Sequence, residues 1–174
     1  LDGVLFHEKD LHFHALNSAL SSIDIKYVIS EIDHIKTFDG LSTNQKLVLL
    51  NKERGFPLNR MKEANDLKQQ FTIPALEKYL KLDQILIDNI KQLSEQYTLM
   101  LASNSIRATI IKALEVLGLS DYFTAILSNE DVSFPKPHPS IYLKAIYGAG
   151  VSPAETLILE DSPNGRKAAL DSGA

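Results

Sequence analysis

Three apolar runs, each closing on polar residues and each followed by a helical stretch, constrain this chain more than anything else in it. Tyr97-Thr98-Leu99-Met100-Leu101-Ala102, Ala125-Ile126-Leu127 and Thr156-Leu157-Ile158-Leu159 show no alternation between apolar and polar positions. Continuous apolar strands are strands buried on both faces, the pattern of a parallel sheet. Helical signals fill the gaps. Ile110, Ile111, Leu114 and Leu117 share a face and are stopped by Gly118; Pro139-Ser140 opens another helix; Ser162-Pro163 pairs a good N-cap with a proline at the first helical position. Strand and helix alternating from about residue 85 onward predict a parallel sheet covered by helices. Leu1 to Leu5 has the same apolar texture and is assigned to that sheet.

From about Lys9 to Leu82 the texture is different, polar and helical with no convincing strand. Leu11, Leu16, Leu20 and Ile23 fall on one helical face. Ser42 is the expected N-cap of a helix running to Arg54, with Gly55 as its stop. A further helix is expected from Leu58 to Phe71, with Pro74 opening the next. The expected architecture is therefore α/β. Residues 1–8 and 83–174 form a Rossmann-like parallel core, and residues 9–82 an inserted α-helical cap domain.

The chain of 174 residues is 44% hydrophobic, enough for a real core, and its formal charge of −4 offers no global field for nucleic acid or acidic membrane. It has no cysteine, which excludes thiol chemistry and fits a cytoplasmic enzyme. No apolar run is long enough to span a bilayer. The sequence opens within a strand pattern and stops at a helix end, so it is expected to be a fragment truncated at both ends.

In open parallel sheets, ligands bind beyond the carboxyl ends of the strands. Asp2-Gly3, Ser103-Asn104-Ser105, Lys136-Pro137 and Glu160-Asp161-Ser162 stand there in that order. Each has an ordinary structural alternative: Asp-Gly as a turn, the serines as helix caps, Lys136 as a solvated loop lysine, and the acid pair as complement to a helix N-terminus. Together they suit metal-assisted phosphoryl transfer. Carboxylates hold Mg²⁺, metal and lysine stabilise the phosphoryl oxygens, and a hydroxyl adds a hydrogen bond.

Asp2-Gly3-Val4, Leu101-Ala102-Ser103-Asn104-Ser105, Lys136-Pro137 and Glu160-Asp161-Ser162 with Gly165 resemble the four motifs of the haloacid dehalogenase superfamily, and the helical block resembles the cap of its beta-phosphoglucomutase-like branch. The resemblance implies a Mg²⁺-dependent phosphatase acting on a small phosphorylated metabolite through an aspartyl-phosphate intermediate. It places the nucleophile two residues before Asp2, outside this sequence, so the chain as given is expected to be inactive. Asp2 is then the general acid/base, whose carbonyl also ligates the metal. Ser103, with Asn104 and Ser105, binds the phosphoryl group, Lys136 pairs with it, and Glu160 and Asp161 complete the metal site. Gly40 and Ser42 resemble the branch's specificity loop. His12 aligns with a hinge histidine, or is an ordinary helix-surface one. Arg107 stands where it could help bind substrate, or is a solvated helix cation.

Two positions depart from the phosphoglucomutase pattern. Thr43 and Ile106 replace an arginine and a lysine that hold a second phosphate, which argues for a phosphatase over a phosphomutase. A phosphorelay receiver, the alternative from another class, would carry its acid pair after the first strand and no helical insertion. A dehalogenase proper would lack the acid pair. No macromolecular partner is implied, and a monomer is expected.

Overall fold

The structure, a computed structural model, describes residues 1–6, 9–38 and 41–174. The chain divides into two compact units, Lys9–Tyr79 and the pair of segments Leu1–Glu8 and Leu80–Ala174.

The continuous unit is helical. It runs through α1 (Lys9–Ile23), the single turn α2 (Glu31–Asp33) continuing as a π-turn over His34–Phe38, α3 (Thr43–Arg54) and α4 (Met61–Tyr79). Leu11, Leu16 and Leu20 bury the expected face of α1, which packs along α4. Local chemistry fixes α3 at both ends. The Ser42 hydroxyl accepts from the Gln45 amide at 3.3 Å while the Gln45 side chain returns to the Ser42 amide at 2.9 Å, a reciprocal box that satisfies two orphan donors. Gly55, at φ 69°, closes the helix in the left-handed conformation. The Asn17 amide clamps the Ile29 backbone in both directions at 2.8 and 2.9 Å. Pro74 does not open a new helix as expected, because α4 continues through it to Tyr79. Ala75 and Leu76, one and two residues later, are both buried. Their packing offsets the backbone hydrogen bond that proline cannot make.

The discontinuous unit holds α5 (Gln84–Gln96), β1 (Met100–Ala102), α6 (Arg107–Leu117), β2 (Ala125–Leu127), α7 (Ser140–Ala149) and α8 (Pro163–Ser172). The parallel pairing is the predicted one. Met100 lies opposite Ala125, Leu101 opposite Ile126 and Ala102 opposite Leu127. Bonds from Thr124 to Leu99 and from Ser103 to Leu127, at 2.8 and 3.0 Å, extend the pair by one link at each end. Leu127, Ile141, Tyr142 and Ala168 form a core beneath it.

Two expected strands are absent from the described sheet. Leu1 to Leu5 forms a turn: the Leu5 amide donates back to Leu1 at 2.9 Å and Gly3, at φ 74°, donates to Phe6 at 2.8 Å. A single parallel bridge joins Asp2 and Phe6. The positive φ at Gly3 reverses the chain before a strand can propagate. Thr156 to Leu159 makes no ladder, and Leu157 and Leu159 are 85% and 66% exposed where burial was expected. An apolar run becomes a strand only when a neighbour supplies its hydrogen bonds. The run beginning at Tyr97 is also shorter than predicted, since Tyr97 caps α5 through its amide to Leu93 at 2.8 Å.

Candidate active site

Lys136 enters the discontinuous unit as a nearly buried cation, its side chain only 8% exposed. Its ammonium donates to the Ala102 carbonyl at the end of β1, at 3.1 Å, and to Glu160 Oε2 at 2.8 Å. Asn104 fixes the lysine from the other side. Its amide accepts from the Lys136 amide at 3.1 Å and donates to the Lys136 carbonyl at 3.3 Å. So Asn104, expected to touch substrate, locks the Lys136 backbone to the end of β1. Ser103 is buried there, and its hydroxyl accepts from the Ser105 amide at 3.1 Å, a bond that keeps its own proton available to donate.

Glu160 is saturated. Its Oε2 accepts from Lys136 and from the Tyr142 phenol at 2.6 Å; its Oε1 accepts from the Ser162 amide at 3.0 Å and hydroxyl at 2.9 Å. A carboxylate offers about four acceptor positions, and all are taken. Burial pushes the Glu160 carboxyl up, but hydrogen bonds from Lys136, Tyr142 and Ser162 outweigh it and bring it down to about 2. Burial, then the bond and charge of Glu160, push the Tyr142 phenol well up, so it stays a donor. Glu160 is also the residue expected beside Asp161 in the metal site, and a cation bound there would displace one of these four donors.

Asp161 is the acid that remains. Its carboxylate lies on the backbone of Gly3, where a Cβ would fall 1.9 Å from Oδ2 and 2.2 Å from Cγ. Only glycine after Asp2 admits it. The first and last motifs of the chain thus meet at one point. Among the described residues no group of three acids or histidines forms a ready cation site. Mg²⁺ needs less, since it commonly takes one or two carboxylates and retains waters. Asp161 beside the Asp2–Gly3 backbone is an all-oxygen donor set that fits it.

Arg107 is engaged within the protein. Its guanidinium binds both oxygens of Asp131, at 2.7 and 2.6 Å, and the Ile126 carbonyl at 3.2 Å. Asp131 in turn caps Ser128, whose amide and hydroxyl it accepts. In the helical unit, His12 is half-buried on α1 and Ser42 is engaged as the α3 cap. Gly40 lies outside the described residues. Sequence reasoning missed Tyr142 and Asp131. Nothing in the pattern separates Tyr142 from an ordinary core aromatic of α7, whereas Asp131, three residues after Ser128, carries the spacing of a capping box.

The family model for haloacid dehalogenase-like hydrolases matches residues 1–174. The chain belongs to that family. YhcW of Bacillus subtilis is 36% identical over 124 residues, 71% of this chain and 52% of that protein. The fructose-1-phosphate phosphatase YqaB of Escherichia coli is 22% identical over 173 residues, 99% of this chain and 89% of that one. The chain therefore spans about half of YhcW and most of YqaB. In fold it is similar to CbbY of Rhodobacter sphaeroides, solved in complex with phosphate, with a TM-score of 0.83, 19% identity, and coverage of 99% of this chain and 80% of that one.

Proposed function

We propose that this haloacid dehalogenase-like hydrolase is a Mg²⁺-dependent phosphatase for a small phosphorylated metabolite. The observation that carries the reading is the Lys136–Glu160 pair held at the end of β1, with Asp161 laid on Gly3 beside it. A buried cation next to an acid is what a phosphoryl dianion and a divalent ion together require. An ammonium has three N–H donors, and two are bound to Ala102 and Glu160; the third is available to a phosphoryl oxygen. The proton of Ser103 supplies a second donor. Asp161 and the Asp2 carbonyl would hold Mg²⁺, which when bound would neutralise charge on the phosphoryl oxygens. Asp2 would donate a proton to the leaving oxygen and later take one from water. The nucleophilic carboxylate belongs, by the motif, on a residue joined to Leu1. The phosphatase names of relatives such as YqaB support hydrolysis of a sugar phosphate or similar polyol phosphate. We assign the helical unit the role of substrate-selecting cap, with His12, Gly40 and Ser42 in it. Thr43 and Ile106 carry no cation for a second phosphate, which favours hydrolysis over a mutase.

The test compares the chain as given with one bearing an aspartate ahead of Leu1, and with the asparagine equivalent, on an aryl phosphate. Phosphate release by the aspartate form alone, abolished by chelator, supports the reading. Equal turnover by the chain that starts at Leu1, or indifference to chelation, refutes it.

A further inference from the structure

Tyr142 touches both members of the charge pair. Its phenol donates to Glu160 Oε2 at 2.6 Å, and its ring lies under the Lys136 ammonium, 4.6 Å from nitrogen to centroid. Core packing alone does not call for this. A phenylalanine would fill the same place in the core with Leu127, Ile141 and Ala168 equally well, and burying a hydroxyl is costly unless it is bonded. Here the hydroxyl is bonded to the same oxygen that receives Lys136. The two contacts act in one direction. The ring face attracts the ammonium by its quadrupole, and the phenol takes an acceptor position on Glu160, so that the carboxylate cannot rotate toward another donor. Ser162 holds the other oxygen. Lys136 is thereby left one orientation, with two N–H groups bound and the third fixed in direction.

We propose that Tyr142 is a positioning residue that sets the direction of the Lys136 ammonium through Glu160 and through its own ring. The functional meaning rests on the phosphatase reading above; the geometry of the pair does not.

The experiment therefore has one arm without catalysis. Tyr142→Phe removes only the hydroxyl, and Tyr142→Leu removes hydroxyl and ring. Tyr147→Phe, on the same helix but 89% exposed, is the control. Lys136 is labelled in the folded 174-residue chain with an amine-reactive reagent, and its rate is read by mass spectrometry against the other lysines. Tyr142→Phe should label Lys136 at least about tenfold faster with the other lysines unchanged, the scale of one lost hydrogen bond to a charged group. Tyr142→Leu should exceed it, and Tyr147→Phe should match the parent. An unchanged Lys136 rate in Tyr142→Phe overturns the proposal. So does a rise shared by all lysines, which marks general loosening. If Tyr142→Leu does not fold, Tyr142→Phe decides alone. The second arm uses the form with aspartate ahead of Leu1, where Tyr142→Phe should lower kcat and leave KM within about twofold, the signature of an interaction made only in the transition state; a change in KM alone overturns the proposal. Absence of turnover in the parent would defeat the phosphatase reading and leave the labelling result standing.

Discussion

Gly165 and Gly55 are both helix-end glycines, yet an added methyl group would do different things at each. At Gly165 a Cβ would fall 2.0 Å from Glu160 Cδ. That carboxylate is pinned by four donors and cannot swing aside, so Gly165→Ala should cost about 1–3 kcal/mol as overpacking does. It should also break the Lys136 pair. At Gly55 nothing lies within 4 Å, and only the left-handed backbone, φ 69°, resists a side chain; Gly55→Ala should cost about 1–2 kcal/mol and leave the site intact. Urea unfolding of both variants, with Lys136 labelling as the second readout, separates the two cases. Equal labelling would show that Glu160 is not held as tightly as its bonds imply. The residue types at the site were legible in the sequence; their division of labour was not. Asp161 and Glu160 are adjacent and chemically alike, and only the fold shows that one is saturated by Lys136, Tyr142 and Ser162 while the other lies against Gly3.

Helix caps proved readable and strands only in part, for a physical reason: Met100–Ala102 and Ala125–Leu127 pair as read, while two other runs do not. Ser42, Gly55, Gly118 and Ser162-Pro163 cap helices where the sequence puts them, because a cap is satisfied within four residues of itself. Leu1–Leu5 and Thr156–Leu159 have strand composition without strands, because a ladder depends on a partner far away in sequence. Ser42→Ala should therefore cost about 1 kcal/mol, measured by thermal unfolding, as loss of a capping hydroxyl does. At the β2 end, Asp131 is held below its ordinary value of 3.8, first by the Ser128 amide and hydroxyl and then by Arg107. A depressed acid contributes its full stability above the ordinary value and loses it as pH falls through the lowered one. Asp131→Asn should thus be destabilising at neutral pH. Its deficit against the parent should shrink as pH drops from about 5 to below the ordinary value. A deficit that stays constant across that range would assign the effect to packing.

Leu157 and Leu159, two residues apart, are both exposed. Contiguous exposed apolar surface drives association. The double change Leu157→Ser with Leu159→Ser should lower binding of a hydrophobic dye while shifting unfolding by no more than about 0.5 kcal/mol, the range for surface positions. Undiminished dye binding would place the exposed apolar surface elsewhere.

The discontinuous unit is assembled from two lengths of chain, and the helical unit is what joins them. Asp2-Gly3 reaches Asp161 only by way of that tether. With α1 lying along α4, the tether's two ends are held together and it behaves as a clasp; with those helices parted it becomes a long slack loop. Closing a loop costs entropy that grows with the logarithm of its length. The effective concentration of Gly3 at Asp161 is therefore set partly by residues such as Leu11, Leu16 and Leu76, none of which belongs to the site.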